Sequence, residues 1–255
     1  MRKLPNDTAG DLLTDDATDN AADKADGPIR RCILSGERAE RGALIRLAIG
    51  PEGQVAPDVR ARQRFLDHRG QVVGHGDPRR AASAMRSDPV SSVPELEAAI
   101  AKGRLKAALA RAFKTGPITV PDDLPAMIEE ALTRALLDRL GLESRSGTLL
   151  TGSDRIAEAA RRGKVWLLLH SSDSSPDGNA KLDQAWRVGS DAEGSGQRGS
   201  VLPVDRTRLS VALGRDNAVH VALTDQRAAA RIDQFLGRLL HFKGEGAVPG
   251  PGEPV

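Results

Sequence analysis

Five histidines, one cysteine and thirty-five carboxylates are the side chains of this chain that could support acid–base, nucleophilic or metal chemistry. His68, His75, His170, His220 and His241 are scattered over loops and strands, and none has an acid or nucleophile at the spacing of a catalytic triad. His68 and His75 with Asp67 and Asp77 resemble a metal-ligand spacing, but they fall in a stretch of weak periodicity and are read as no site. Cys32, alone, excludes an internal disulfide or a multi-cysteine zinc site, suits a reducing compartment, and is read as a packing residue. The sequence holds no GxxxxGK[ST] phosphate loop, no GxGxxG after a strand and no GxSxG elbow. The expectation is a non-enzymatic chain with no catalytic residue, no metal and no cofactor.

Charge is the stronger signal. Residues 1–29 carry three Lys/Arg against seven Asp, 30–116 carry seventeen against nine acids, 117–242 sixteen against seventeen, and the remainder one against two. The net +2 therefore hides a middle block of +8, and such a block implies an anionic partner. Within it, Arg30, Arg31 and Arg46 flank an expected hairpin, and Lys102, Arg104, Lys106, Arg111 and Lys114 crowd one expected helix. Each alone reads as a solvated charge; together they read as a phosphate-contacting surface. Aromatics are only 2% and tyrosine is absent, so contact with nucleic acid would rest on cations and backbone groups rather than on stacked bases.

The elements that must position these residues follow from pattern. Residues 5–28 form an acidic, core-poor arm, expected to be disordered. Leu44–Ile49 alternates, breaks at Gly50-Pro51-Glu52-Gly53 and returns over Gln54–Val59 as a hairpin. Arg60–Val93 holds seven arginines, turn residues and no clear period, and reads as an irregular loop. Pro94–Phe113 reads as one helix. After a break at Thr115-Gly116-Pro117, Asp122 or Asp123 caps a helix to Leu140 that Gly141 ends.

Thr151 or Ser153 then caps a short helix closed by Gly163, and Val165–Leu169 is an apolar run suited to an interior strand. A helix over Pro176–Arg187, a strand over Val201–Val204, a helix over Thr207–Leu213, a strand over Ala218–Leu223 and a helix over Asp225–His241 follow. The fold class is α/β: a small α+β domain (hairpin plus helices) over 29–116, then a three-layer αβα sandwich over 117–242, between an arm at 1–28 and a Pro/Gly tail at 243–255.

Two stretches resemble known families. RRCILSGE, ALIRLAIGPEGQVAPDV and GRLKAALARAF are similar to the small bacterial YlxR-type domain (DUF448), which is regarded as nucleic-acid binding. That family's Pro-Gly-Arg-Gly-aromatic stretch after the hairpin is absent; family-like text stops near Arg62 and resumes near Glu95. Two explanations compete, a genuine divergent insertion and a stretch translated out of frame between two compensating shifts; our hypothesis is the second, and an intact frame on resequencing would sink it. LGLESRSGTLLTGSDRIAEAARRGKVWLLLHSSDSSPDGNAKL and SVALGRDNAVHVALTD, within Ile128–His241, resemble the ribosomal proteins that bind kink-turn RNA.

That second resemblance implies an RNA surface at Gly152, Ser153, Asp154 and Arg155, with Glu158 one turn on, and with Ser172-Asp173 and Leu213-Gly214-Arg215 at its other edge. Free N–H groups at a helix start attract phosphate. Ser153 or Asp154 can equally be a simple helix cap, and Asp154 with Glu158 would repel phosphate where the family commonly carries Asn-Glu and then Lys; Arg145, Arg155, Arg161 and Arg162 offset them. The resulting expectation is a cytoplasmic RNA-binding protein near the transcription and translation machinery, its target ribosomal RNA or RNase P, with no membrane contact. A nucleoid-associated regulator binding DNA, and a protein–protein adaptor whose second domain has lost RNA binding, are the alternatives. Sequence leaves the oligomeric state open.

Overall fold

The computed structural model describes residues 29–34, 36, 38–40, 44–50, 53–58, 64–66, 72–75, 82–86, 93–114 and 117–245. The expected acidic arm, the Thr115-Gly116 break, most of 60–93 and the tail beyond 245 lie outside the described residues. In chain order the elements are β1 (Ile29–Arg31), β2 (Arg38–Glu40), β3 (Leu44–Ile49), β4 (Val55–Pro57), β5 (Arg64–Leu66), β6 (Val72–His75), β7 (Ala82–Arg86), α1 (Val93–Ala101) and α2 (Arg104–Phe113). Then follow α3 (Leu124–Arg145), β8 (Leu149–Thr151), α4 (Ser153–Arg161), β9 (Leu167–His170), α5 (Pro176–Gly189), β10 (Ser200–Val201), α6 (Arg206–Leu213), β11 (His220–Leu223) and α7 (Gln226–Lys243). The class is α/β, as the patterning predicts.

The hairpin forms as expected, β3 pairing antiparallel with β4. The irregular loop over Arg60–Val93 needs correction, because it contains β5, β6 and β7. β4 covers only one edge of β3, and an uncovered edge leaves a row of backbone donors and acceptors unpaired. β7 takes that second edge, with Leu44 opposite Arg86 and Leu47 opposite Ala82. The single helix over Pro94–Phe113 also needs correction: Gly103 stands at φ 65, a left-handed conformation no α-helix continues through, so α1 and α2 are separate. On α2, Leu105, Ala108 and Leu109 are buried at i, i+3 and i+4, and the charged residues are left outward.

In the second unit the sheet order is β10-β9-β11-β8, with β10 parallel to β9, and β11 antiparallel to both β9 and β8. β9 is interior and buried at every position, as its unbroken apolar run predicts. The pleat sends Leu168 and Ala222 to one face, against Ile156 and Ala160 of α4 and Leu182, Ala185 and Trp186 of α5. Leu167, Leu169, Val221 and Leu223 take the opposite face, where they join residues of α3, α6 and α7 in one hydrophobic cluster. Two helical layers on one sheet make the three-layer sandwich, with each buried leucine contributing roughly 2 kcal/mol.

Several boundaries differ from expectation. α3 runs past Leu140 to Arg145, and Gly141 lies inside it: a Cβ there would stand 2.7 Å from the carbonyl oxygen of Ala212, so this glycine lets α6 approach rather than ending a helix. Asp123 occupies the N-cap of α3 without a side-chain capping bond. β10 stops at Val201, two residues before Pro203, which has no N–H to extend a ladder. The two units also share a core. Thr119 bridges Gln54, Val55 N–H donates to Thr119 O (3.0 Å), and one hydrophobic cluster runs from Ile45, Leu47 and Leu105 through Leu124 and Ile128 into the sandwich.

Candidate nucleic-acid interface

Of the cations expected around the hairpin, Arg46 is already matched: its Nε lies 3.2 Å from the buried carboxylate of Asp58, and its side chain is largely covered. Arg31 is exposed, and its Nε–H donates to Gly36 O (2.8 Å). It shares with Arg111 of α2 a shallow depression around the buried Cys32, so strand and helix bring two cations of the predicted set together. Arg30 is in β1, paired with Ala39. Lys102, Arg104, Lys106, Arg111 and Lys114 are all exposed, at or beside α2. The sequence from Ile100 to Gly116 contains no carboxylate. Five cations thus stand together with no acid of their own segment to neutralise them.

The sandwich assembles a second surface by topology. Thr151 pairs with Val221, while His170 pairs with both Val201 and His220. The C-terminal ends of β8, β9 and β10 and the N-terminal end of β11 therefore form one edge. Gly152 to Arg155, Ser171 to Asp173, Val204 to Arg206 and Arg215 to Val219 all emerge there. Backbone bonds tie these loops: Ser171 N–H donates to Val219 O (2.8 Å) and Ser172 N–H to Val204 O (2.9 Å).

At this edge α4 begins on Gly152, in place of the Thr151 or Ser153 cap expected from sequence. Gly152 has φ 92 and makes no side-chain cap, so Ser153 and Asp154 fall inside the first turn. The first-turn N–H groups of a helix lack intrahelical partners, and exposed Gly152, Ser153, Asp154 and Arg155 surround this start. Glu158 is paired with Arg162 (2.7 Å), a pair largely in solvent. Arg145 ends α3, before the N-terminal end of β8, so the strand separates it from Gly152. Arg215 is exposed just past Gly214, which caps α6 with φ 63.

Asp173 does more than initiate a turn. It accepts from Arg206 Nε–H (2.6 Å), Arg206 backbone N–H (2.9 Å) and Ser171 Oγ–H (2.8 Å). The hydrogen bond from the Arg206 side chain, helped by the one from Ser171, holds its carboxyl down at about 2. The charge of this loop is thus met by the protein.

Directly behind the edge lies an arrangement the sequence analysis did not assemble. His170 ends β9, His220 begins β11, and their Nδ1 atoms are 2.9 Å apart. His170 Nε2 is 3.0 Å from Asp183 Oδ1 of α5, which also accepts from Gly199 N–H (2.8 Å). All three side chains are buried. A carboxylate only accepts, so the His170 proton sits on Nε2 and its Nδ1 accepts; His220 must then donate from Nδ1, leaving its Nε2 bare beside Gly178. Burial, first, and then the neighbouring His170 and Arg206 push His220 down to about 4 against the opposing pull of Asp183. Burial pushes Asp183 up, yet the bonds from His170 and Gly199 and the charge of Arg187 keep it below its ordinary value.

The available signal was positional: LLLH ends one apolar strand and HVAL begins the other. Antiparallel pairing puts such terminal residues opposite each other. With both Nδ1 atoms engaged and His170 Nε2 on the carboxylate, the trio is a buried hydrogen-bonded chain rather than a metal-ligand set.

No family model matches the chain, and no curated protein matches it. Among solved structures, 52 chains match. One is a protein with unknown function from Bacillus halodurans C, 27% identical, with 40% of this chain and 95% of that chain covered and a TM-score of 0.34.

Proposed function

We propose that this chain is a non-enzymatic RNA-binding protein, its first unit of the YlxR type and its second related to the ribosomal proteins that bind kink-turn RNA. The observation that carries the reading is the acid-free cationic segment at α2, where Lys102, Arg104, Lys106, Arg111 and Lys114 are all exposed. Arg31 extends that surface across the depression shared with Arg111. Affinity comes from phosphate neutralisation there, and the sandwich edge from Gly152 to Arg155 contributes helix-start N–H groups with Arg215 beside them. The expected setting is the cytoplasmic transcription and translation machinery, with ribosomal or RNase P RNA as the target class.

The test is binding of the full-length protein to structured RNA across a salt series, with Lys102, Arg104, Lys106 and Arg111 each replaced by Ala. On this reading each replacement weakens binding and lowers the slope of log K against log salt by roughly 0.7 to 0.9. Unchanged affinity and slope in the quadruple variant would refute the assignment. Tighter binding of duplex DNA than of RNA at matched salt would replace RNA with DNA as the partner.

A further inference from the structure

A cavity of about 590 Å³ opens at the end of the sandwich away from the loop edge, among the entry to β9, the end of α5 and the first turns of α7. α7 lines it with Gln226, Ala229, Ala230 and Asp233, the i, i+3, i+4 and i+7 positions of one helical face. Val165 and Trp166 supply another wall, with Trp186 of α5 beside them. Its size is that of a small-molecule site.

The polar groups of the α5 wall are matched within the protein: Trp186 Nε1–H donates to Val165 O (2.9 Å), and Ser190 Oγ–H to Trp186 O (2.8 Å). Asp233 is different. Among the described residues lining the cavity it alone carries a charge. It is partly buried and makes no hydrogen bond or ion pair among the described residues, and burial pushes its carboxyl up with no neighbouring charge to oppose it. Neither carboxylate oxygen is sealed from solvent, so a ligand can reach both. Trp166, 48% exposed, brings an uncovered indole to the same cavity.

A carboxylate drawn out of water without a counter-charge costs free energy, and a cation that reaches it offsets that cost. Because a carboxylate only accepts, the cation must bring N–H donors; a primary ammonium has three and a quaternary ammonium none. A metal ion is a poor match, since no group of three His, Cys, Asp or Glu suited to one stands among the described residues. An anion, a nucleotide or RNA backbone included, would meet only repulsion. The walls set the rest of the ligand. Trp166 N–H donates to Leu223 O (2.8 Å), which holds its backbone three residues ahead of α7. Asp233 lies two turns into that helix, about 10 Å beyond Gln226 along its axis. The ligand is therefore elongated, with its ammonium at Asp233 and an apolar body running past Ala229 and Ala230 to an aromatic end on the indole.

We infer that this cavity is a binding site for a free arylalkyl primary amine, with Asp233 holding the ammonium and Trp166 the ring.

The chain has two tryptophans and no tyrosine, and both tryptophans line this cavity, so the intrinsic fluorescence of the full-length protein reads the site directly. The experiment is a fluorescence titration at neutral pH with phenylbutylamine, with phenylbutanol and phenylbutyrate as its neutral and anionic counterparts. It is repeated on Asp233→Asn, which keeps the shape and removes the charge, and on Ala230→Leu, which fills the groove from an exposed position of α7. Both variants are first shown to unfold at the wild-type temperature, and either one that does so keeps the test open. A saturable change with the amine, tenfold or more weaker with the alcohol, with the carboxylate and in each folded variant, is the expected result. No saturable change with the amine, equal binding of amine and alcohol, or folded variants that bind the amine as wild type does would overturn the site. A lysine-containing tripeptide amide separates the two sources of a primary ammonium: binding tighter than phenylbutylamine would overturn a free amine in favour of a lysine side chain of a protein partner.

Discussion

Acid should unfold this protein earlier than its carboxylates alone require, because His220 refuses a proton that the unfolded chain accepts. In the unfolded chain a histidine titrates near 6.5; in the fold His220 is held down to about 4. Folded-state depression of a histidine gives stability that is full above the unfolded value and is lost as pH falls from 6.5 toward 4. The loss reaches about 2 kcal/mol by pH 5 and about 3 kcal/mol once both states are protonated.

Among the described residues, the carboxylates whose values are shifted leave this window clear. Asp173, Asp183 and Glu143 are all lowered, so their contributions fade only below the ordinary carboxylate values. Asp233, raised by burial, has the opposite sign and acts just above its ordinary 3.8. Urea unfolding at pH 7 and pH 5 reads the effect. With a slope of about 2 kcal/mol per molar, the midpoint falls by about 1 M. In His220→Leu the protein is weaker at both pH values and the difference between them largely disappears. A midpoint that does not move in wild type, or moves equally in the variant, would refute the hydrogen-bonded chain from Asp183 to His220.

Two further predictions concern the frame. Glu143 is buried on α3 and accepts from Thr148 Oγ1–H (2.7 Å), Arg139 Nε–H (2.8 Å) and Arg231 Nη2–H (3.0 Å); burial pushes its carboxyl up, and these bonds together hold it below the ordinary value. Glu143→Ala strips the partners of α3, α7 and the turn into β8 at once, and thermal unfolding should report a loss of about 3 kcal/mol. Gly189→Ala places a methyl on the carbonyl of Ala160, forcing α4 and α5 apart, whereas Gly103→Ala meets open space and costs only its left-handed φ, about 1 kcal/mol. Equal stability of the two glycine variants in denaturant unfolding would contradict the α4–α5 contact.

What the sequence revealed follows from how local each signal is. The hairpin, the interior strand and the C-terminal turn of α4 rest on neighbours a few residues apart. At that turn Gly163 N–H donates to Ala160 O and Lys164 N–H to Ala159 O, the reciprocal pattern that a glycine at this position predicts. Gly141 misled because an approach from residue 212 is invisible in the text around 141. β7 was missed because strand pairing with β3 spans some forty residues and its own sequence lacks alternation. The histidine chain was missed for the same reason: His170 and His220 are fifty residues apart, and only the antiparallel register makes them neighbours. In the candidate interface, the charges of α2 were legible because they sit on one helix. The neutralisation of Arg46 by Asp58 and of Asp173 by Arg206 was not.

Those long-range pairs change how the two surfaces can share the proposed work. At the sandwich edge Asp173 is spent on Arg206, Glu158 on Arg162, and Asp205 on capping α6. Asp154 and Asp216 remain, each next in sequence to an arginine, Arg155 and Arg215, and all four are exposed. The edge therefore carries little net charge, and the field of what remains is screened beyond about 8 Å at physiological salt. A neutral edge neither repels a phosphate backbone nor attracts one from afar. What it offers acts only on contact: the unpartnered N–H groups at the start of α4 and a fixed outline of four loops. Long-range attraction must then reside at α2, where five cations have no carboxylate in their own segment. Salt should consequently act on the affinity set by α2, while preference among RNA shapes, set by the edge, should persist across the same salt series.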